Sequence, residues 1–489
     1  MESISRKQFL QQSALGLGSV MLFSGFDFTS AKTDANFVIG KTAFGNVRGI
    51  RERGVNIFKG IPYGGSVSGD YRFARPVPME PWKGVRDAIR LGTPAMQSPK
   101  TVYGIDEPQP GEDCLFLNIW TPANDNKKRP VMFYNHGGGF STGSGGSAGQ
   151  DGANLARFFD VVVVETNHRL NIFGYLYLGD LAGERYKTSG NNGMLDIVDG
   201  LKWVNKNITE FGGDPNNVMI WGESGGGAKT SCLYAMPSAA DYFNKASIES
   251  GPGVMMTPVE TAIETTSLLL KELNISPKDW RKLLELPAEK LFDIQPQLMR
   301  AAAASAKNSS VRTRGISASG PGGFSPVVDG IVLPGHPFSP SATAISINKP
   351  LIIGWNEDEY TFFATSSGDV SGCQLQNSGL KVPNTDFPMG TAHAMDIGFK
   401  FNNVRPEMSG QYLAGDKPER FKASLNFAGL WTSFARTGKP GIKDQPEWPA
   451  YDLVKRPTYR IDAECEVISD RNKSERELWA SLGYLGSKE

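Results

Sequence analysis

Val218-Met219-Ile220-Trp221-Gly222-Glu223-Ser224-Gly225-Gly226 is the stretch from which the rest of the chain can be read. Its four apolar residues form a short buried-strand pattern. A Gly-x-Ser-x-Gly turn follows at once. Between a strand and a helix, that turn is a nucleophile elbow, with the serine on strained backbone and its hydroxyl pushed out at the strand's carboxyl end. The flanking glycines are required because Cβ atoms there would meet strand and helix. The N–H after the serine then faces a developing oxyanion, and the helix N-terminus adds partial positive charge. Ser224 is thus the candidate nucleophile and Gly225 a candidate oxyanion donor. The competing reading, a plain Gly-rich turn, is disfavoured by the strand before it.

Upstream, Val131 to Tyr134 is a second buried run and leads into His136-Gly137-Gly138-Gly139-Phe140. Three glycines let backbone approach a ligand and aim N–H groups at one oxygen, so Gly138 and Gly139 are the other oxyanion candidates. His136 reads as a residue that orients this loop by hydrogen bonding. Val161 to Val164 and Leu351 to Ile353 are further strands, and Met194 to Glu210 is an amphipathic helix stopped by Gly212-Gly213-Asp214-Pro215. Strand and helix alternate, which means an α/β fold with a mostly parallel sheet. Thr257 to Met299 is helical and charged, whereas Ala301 to Gly323 and Thr365 to Asp386 read as loops. No linker divides the chain, so residues 32–489 are expected to form one domain, with cap or lid insertions around 257–323 and 365–386.

A serine nucleophile needs a base and an acid, and on this kind of sheet the chain order is Ser, acid, His. His136 lies too early. Downstream stand His336, in the Pro-flanked turn Leu333-Pro334-Gly335-His336-Pro337, and His393, in the small-residue stretch Gly390 to Asp396. The second suits a loop that reaches a site. Glu357, Asp358 and Glu359 all follow the strand Leu351 to Ile353, and pattern alone does not choose among them.

The 51 basic and 51 acidic side chains cancel, which argues against a nucleic-acid binder. Four Cys with no CxxC pair give no zinc or dithiol signature, and the proposed chemistry needs no cofactor. At the amino terminus, Arg6-Lys7 precedes an apolar run from Phe9 to Phe28, and Thr29-Ser30-Ala31 offers small residues for cleavage. These are the parts of an export signal over residues 1–31, and Ser5 to Leu10 is twin-arginine-like with Lys in the second basic place. The expected location is periplasmic or secreted, with no stable membrane insertion after the signal is removed.

Taken together, the chain from Phe37 to Tyr484 resembles the type-B carboxylesterases, the carboxylesterase and cholinesterase group of α/β-hydrolases. The likeness rests on Phe58-Lys59-Gly60-Ile61-Pro62-Tyr63, Glu112-Asp113-Cys114-Leu115-Phe116-Leu117-Asn118, Asn167-His168-Arg169-Leu170, Gly190-Asn191-Asn192-Gly193, Phe211 to Gly226, and Trp448-Pro449-Ala450-Tyr451. The resemblance implies an α/β-hydrolase that cleaves small carboxylic esters through an acyl-enzyme. It implies Glu359 as the acid and His393 as the base, followed by Asp396. It also implies Ser250 as a serine that hydrogen-bonds the acid, and Glu223 as a buried supporting acid. Amides, lactones and lipid esters are alternative substrates for the same groups, and a non-catalytic adhesion member is the opposing class.

The chain departs from the family at three places. Met96 stands where relatives carry a Cys that pairs with the one at Cys114, so no structural disulfide is expected. His393 follows Glu359 by only 34 positions, which implies a more open site than in larger relatives. Ile197 stands where a Gln often follows Asp196.

Overall fold

The four apolar runs read above as strands, beginning at Val131, Val161, Val218 and Leu351, are strands of one sheet. In chain order the strands are β1 (Phe37–Thr42), β2 (Gly45–Glu52), β3 (Val55–Pro62), β4 (Val85–Asp87), β5 (Phe116–Thr121), β6 (Arg129–Asn135), β7 (Val162–Thr166), β8 (Gly213–Glu223) and β9 (Lys245–Glu249). The two-residue strands β10 (Thr257–Pro258) and β11 (Val327–Val328) pair apart from it, and β12 (Leu351–Gly354) closes it. The computed structural model describes residues 36–98, 108–305, 319–361, 363, 390–405 and 418–482. The expected export segment, the loop 365–386 and Cys373 lie outside the described residues.

The strand order is β1-β2-β3-β5-β7-β6-β8-β9-β12, with β4 beside β2. From β1 to β7 the neighbours are antiparallel; from β7 through β6, β8 and β9 to β12 they are parallel. Parallel neighbours need crossovers, and the helices Ala153–Phe159, Asn192–Asn207 and Gly225–Ala235 supply three of them. Side chains alternate between the faces. Val131, Phe133, Val218 and Ile220 join the core under Asn192–Asn207, while Met132, Tyr134, Met219 and Trp221 join the core under Glu419–Thr437. The helix expected over Met194 to Glu210 is Asn192–Asn207 followed by a tighter turn, Ile208–Phe211, and Gly212 ends it at φ 77°.

One expectation is corrected in part. The run from Ala301 does not begin as a loop, because the helix Gln295–Ser305 carries through it. Four consecutive alanines, 301–304, are strong helix formers, and propensity there outweighs the missing apolar periodicity. Beyond the undescribed 306–318, Gly322 N–H is tied to Thr265 Oγ1 (3.0 Å).

Register sets the site. Asn135 pairs with Gly222, Glu223 with Glu249, and Gly354 with Glu249. Four parallel strands therefore end at one edge, and the segments holding His136, Ser224, Ser250 and Glu359 leave the sheet side by side, where α/β sites form.

Candidate active site

Ser224 has φ 57° and ψ −123°, a conformation that L-residues rarely adopt. It is held from both sides, with its N–H donating to Glu249 O (2.9 Å) and its carbonyl accepting from Ala228 N (3.1 Å). The glycines make room for the turn. A Cβ on Gly226 would stand 1.9 Å from Asn135 O, and one on Gly222 2.5 Å from Gly226 C. The start of the helix Gly225–Ala235 is thus pressed directly onto the end of β6.

His393 reaches Ser224 from the loop before the helix Asp396–Lys400. Its Nε2 lies 2.7 Å from Ser224 Oγ, and its Nδ1 lies 2.5 Å from Glu359 Oε2. The second oxygen of Glu359 accepts from Asn356 N (2.7 Å). Its neighbours are engaged elsewhere. Asp358 Oδ2 accepts from Thr391 N (2.8 Å), and Glu357 pairs with Arg471 (2.5 Å). Of the three acids left open by sequence, Glu359 is the one that meets the imidazole. The other downstream histidine, His336, accepts from Met256 N at Nδ1 (3.1 Å) in its turn, and burial lowers its pKa.

The three candidate oxyanion donors are aimed by their carbonyl partners. In a trans peptide the N–H points opposite the preceding C=O, so fixing one fixes the other. Gly138 O accepts from Thr142 N (3.0 Å), which turns Gly139 N–H the opposite way. Gly137 O is bonded by His136 Nδ1 (2.9 Å), which turns Gly138 N–H. Ser224 O is taken by Ala228 N, which turns Gly225 N–H. Among the described residues none of these three N–H groups has a protein acceptor. The two loops touch, since a Cβ on Gly225 would lie 2.3 Å from Gly139 N. Gly138 and Gly139 sit at φ 85° and 62°, which glycine adopts without strain.

A buried charged network lies behind the serine. Glu223 is buried, with Oε1 3.4 Å from His393 Nε2. Burial foremost, then the Asp396 charge, push its carboxyl well above the usual range. Lys400, fully buried, pairs with Glu249 and with Asp396 (2.5 Å). Asp396 Oδ1 also accepts from Asn356 Nδ2 (3.1 Å), and Glu249 Oε1 from Trp431 Nε1 (2.7 Å). The sequence reading missed Lys400, Asn356 and the Trp431 indole. The available signal was the four-residue spacing of Asp396 and Lys400 on a short helix. The expected bond from Ser250 to the acid is not formed: Ser250 Oγ is buried without a hydrogen-bond partner among the described residues, and Asn356 N occupies the second oxygen of Glu359 instead. Farther out, Arg169 grips Asp196 with two side-chain bonds of 2.8 Å beside the buried Ile197. Cys114, Cys232 and Cys465 are buried free thiols. Among the described residues no group of three or more His, Cys, Asp or Glu is arranged to hold a metal, and no helix is long and apolar enough to cross a membrane.

A serine on an elbow at the carboxyl edge of a mostly parallel sheet, facing a histidine, places this fold among the α/β-hydrolases. Residues 38–379 match the carboxylesterase family, and the chain belongs to it. It is 32% identical over 502 aligned positions to the para-nitrobenzyl esterase of Bacillus subtilis (strain 168), covering 90% of this chain and 98% of that one. It is 30% identical over 486 positions to a fumonisin B1 esterase of Sphingopyxis macrogoltabida, covering 86% of each. A solved carboxylesterase of Geobacillus stearothermophilus matches with a TM-score of 0.74 at 34% identity, over 90% of this chain and 99% of that one. The protein is a carboxylic ester hydrolase, with small-molecule esters as its substrate class.

Proposed function

We propose that ester cleavage proceeds through Ser224, His393 and Glu359. The observation that carries this is the unbroken line of contacts from Ser224 Oγ through both nitrogens of His393 to Glu359 (2.7 and 2.5 Å). His393 Nε2 takes the Ser224 proton as Oγ bonds to the acyl carbon. Glu359 holds the tautomer with a proton on Nδ1 and stabilises the imidazolium. The N–H groups of Gly138, Gly139 and Gly225 receive the oxyanion, and each such donor is typically worth about 3 kcal/mol. The carbon–oxygen bond to the alcohol breaks, and the alkoxide leaves with the proton from Nε2. Water then attacks the acyl-enzyme, His393 takes its proton, and the acid is released as Ser224 regains its hydrogen. Glu223 and His136 act as supporting residues.

A fluorophosphonate should label the wild-type protein at Ser224 and leave Ser224→Ala unlabelled, and that variant should lose at least about 10⁴-fold in turnover of a short-chain aryl ester. Wild-type turnover by Ser224→Ala would end this reading. A panel of ester chain lengths, a lactone and an anilide separates plain esters from the alternative acyl substrates. The same proposal places the enzyme outside the cytoplasm, on the pattern of residues 1–31, and cell fractionation with and without those residues tests it.

A further inference from the structure

Lys229 is a fully buried amine that the hydrolytic steps do not use. It lies on the helix that begins at the elbow, four residues after Gly225. Its Nζ donates to His136 O (2.9 Å) and lies 3.5 Å from His136 Nδ1. No carboxylate stands within ion-pair reach of it among the described residues. Burial pushes its ammonium well below the usual lysine range. His168 stacks on the ring of His136 (centroids 4.6 Å apart, planes at 22°), and both imidazoles are held neutral chiefly by burial.

The place of this amine matters more than its burial. The oxyanion hole is built from two separate pieces of chain. Gly225 belongs to the helix, whereas Gly138 and Gly139 belong to the loop after β6. His136 begins that loop, and its Nδ1 already fixes the Gly137 carbonyl. Lys229 fixes the next carbonyl upstream, His136 O, and does so from the helix that carries Gly225. A buried amine is costly unless it is hydrogen-bonded, and an aliphatic side chain would leave the His136 carbonyl without this donor.

We propose that Lys229 is a positioning residue that locks the two halves of the oxyanion hole to each other. It touches no substrate. It keeps the Gly138 and Gly139 N–H groups in register with that of Gly225, so all three converge on one oxygen. This rests on the oxyanion role proposed above.

The test compares Lys229→Met, which keeps the length and apolar stem but has no donor, with Thr230→Val. Thr230 ties the same helix to Asn135 Nδ2 (2.9 Å), one residue before the loop, and serves as the control for loosening of the joint alone. Rates with a short-chain aryl ester are referred to sites titrated to completion with a fluorophosphonate, so unfolded protein does not count. Because losing one oxyanion donor outright costs roughly 10²–10³ in kcat, loosening two should lower kcat by about 10- to 100-fold, with KM within about 3-fold. A trifluoromethyl ketone, which adds Ser224 to give a tetrahedral oxyanion, should lose affinity by the same factor as kcat/KM. Thr230→Val should change kcat by less than about 3-fold. Unchanged kcat in Lys229→Met, unchanged ketone affinity despite a lower kcat, or an equal loss in Thr230→Val would overturn the proposal. Failure of the ketone to inhibit the wild-type enzyme would instead refute the oxyanion hole itself.

Discussion

Replacing Lys400 by Met should destabilise the protein, and by an amount that grows with pH. Lys400 is fully buried between Glu249 and Asp396, whose side chains are 3% and 9% exposed. Burial works against its ammonium, but Asp396 and Glu249 outweigh that and hold the pKa above the usual lysine value. Without the cation, two buried carboxylates face each other. The structure leaves Asp396 its bond from Asn356 and Glu249 its bonds from Ser247 and Trp431, but no neutralising charge. One of the two must then stay protonated. Holding a carboxyl neutral at pH 7, against an ordinary value near 4.3, costs about 3.7 kcal/mol, within the ~3–5 kcal/mol expected for breaking a buried pair. At pH 5 the same cost is only about 1 kcal/mol. The sign follows from linkage: an acid whose pKa is raised by folding gives up stability as pH climbs from its unfolded toward its folded value. The assay is the thermal midpoint of wild type, Lys400→Met and the double variant Lys400→Met/Glu249→Gln, each at pH 5 and pH 7. The single variant should fall several degrees further below wild type at pH 7 than at pH 5. The double variant, with one acid removed and the Ser247 and Trp431 bonds still available to the Gln carbonyl, should recover most of the loss. An equal deficit at both pH values, or two substitutions whose effects simply add, would refute the reasoning.

Three further outcomes follow from the same edge of the sheet. Glu223→Gln should retain kcat within about 3-fold, because burial and the Asp396 charge push that carboxyl well above the usual range, toward the neutral form that Gln mimics; a loss of about 10-fold or more would show that its charge is used beside His393. Gly226→Ala should yield no soluble protein that a fluorophosphonate labels, since its Cβ would stand 1.9 Å from a backbone oxygen that cannot yield. Asn356→Ala should lower kcat by about 10-fold with little change in KM, because Asn356 ties Ala392 O (2.9 Å) and Asp396 to the acid loop; unchanged turnover would remove it from the supporting network.

Much of this protein was written locally. Four of the five parallel strands followed from short Val- and Ile-rich runs, because a strand covered on both faces is usually apolar throughout; β9, with Lys245, Ser247 and Glu249 buried, was missed for that reason. The elbow and the oxyanion loop followed from glycines, because backbone this crowded admits no Cβ. What stayed open was of a different kind. Glu357, Asp358 and Glu359 are equivalent as local pattern, and only the course of the chain around Asn356 and Thr391 turns the third toward His393. Ser250 was expected to hold the acid, yet the nearer backbone N–H of Asn356 took that place.

The sequence by itself determined four of the parallel strands, the elbow and the glycine loop after β6, since each depends on steric rules within a few residues. Which acid meets the histidine was open to local pattern and implied only by the family resemblance, and tertiary structure alone brought out the buried amines behind the site. Lys229 is bonded to a residue 93 positions away and Lys400 to one 151 away; no local pattern marks Lys229, and only the four-residue spacing from Asp396 hints at Lys400. A buried lysine is stable only where the fold brings it an acceptor or a counter-charge, and those partners arrive only when distant strands pair in register.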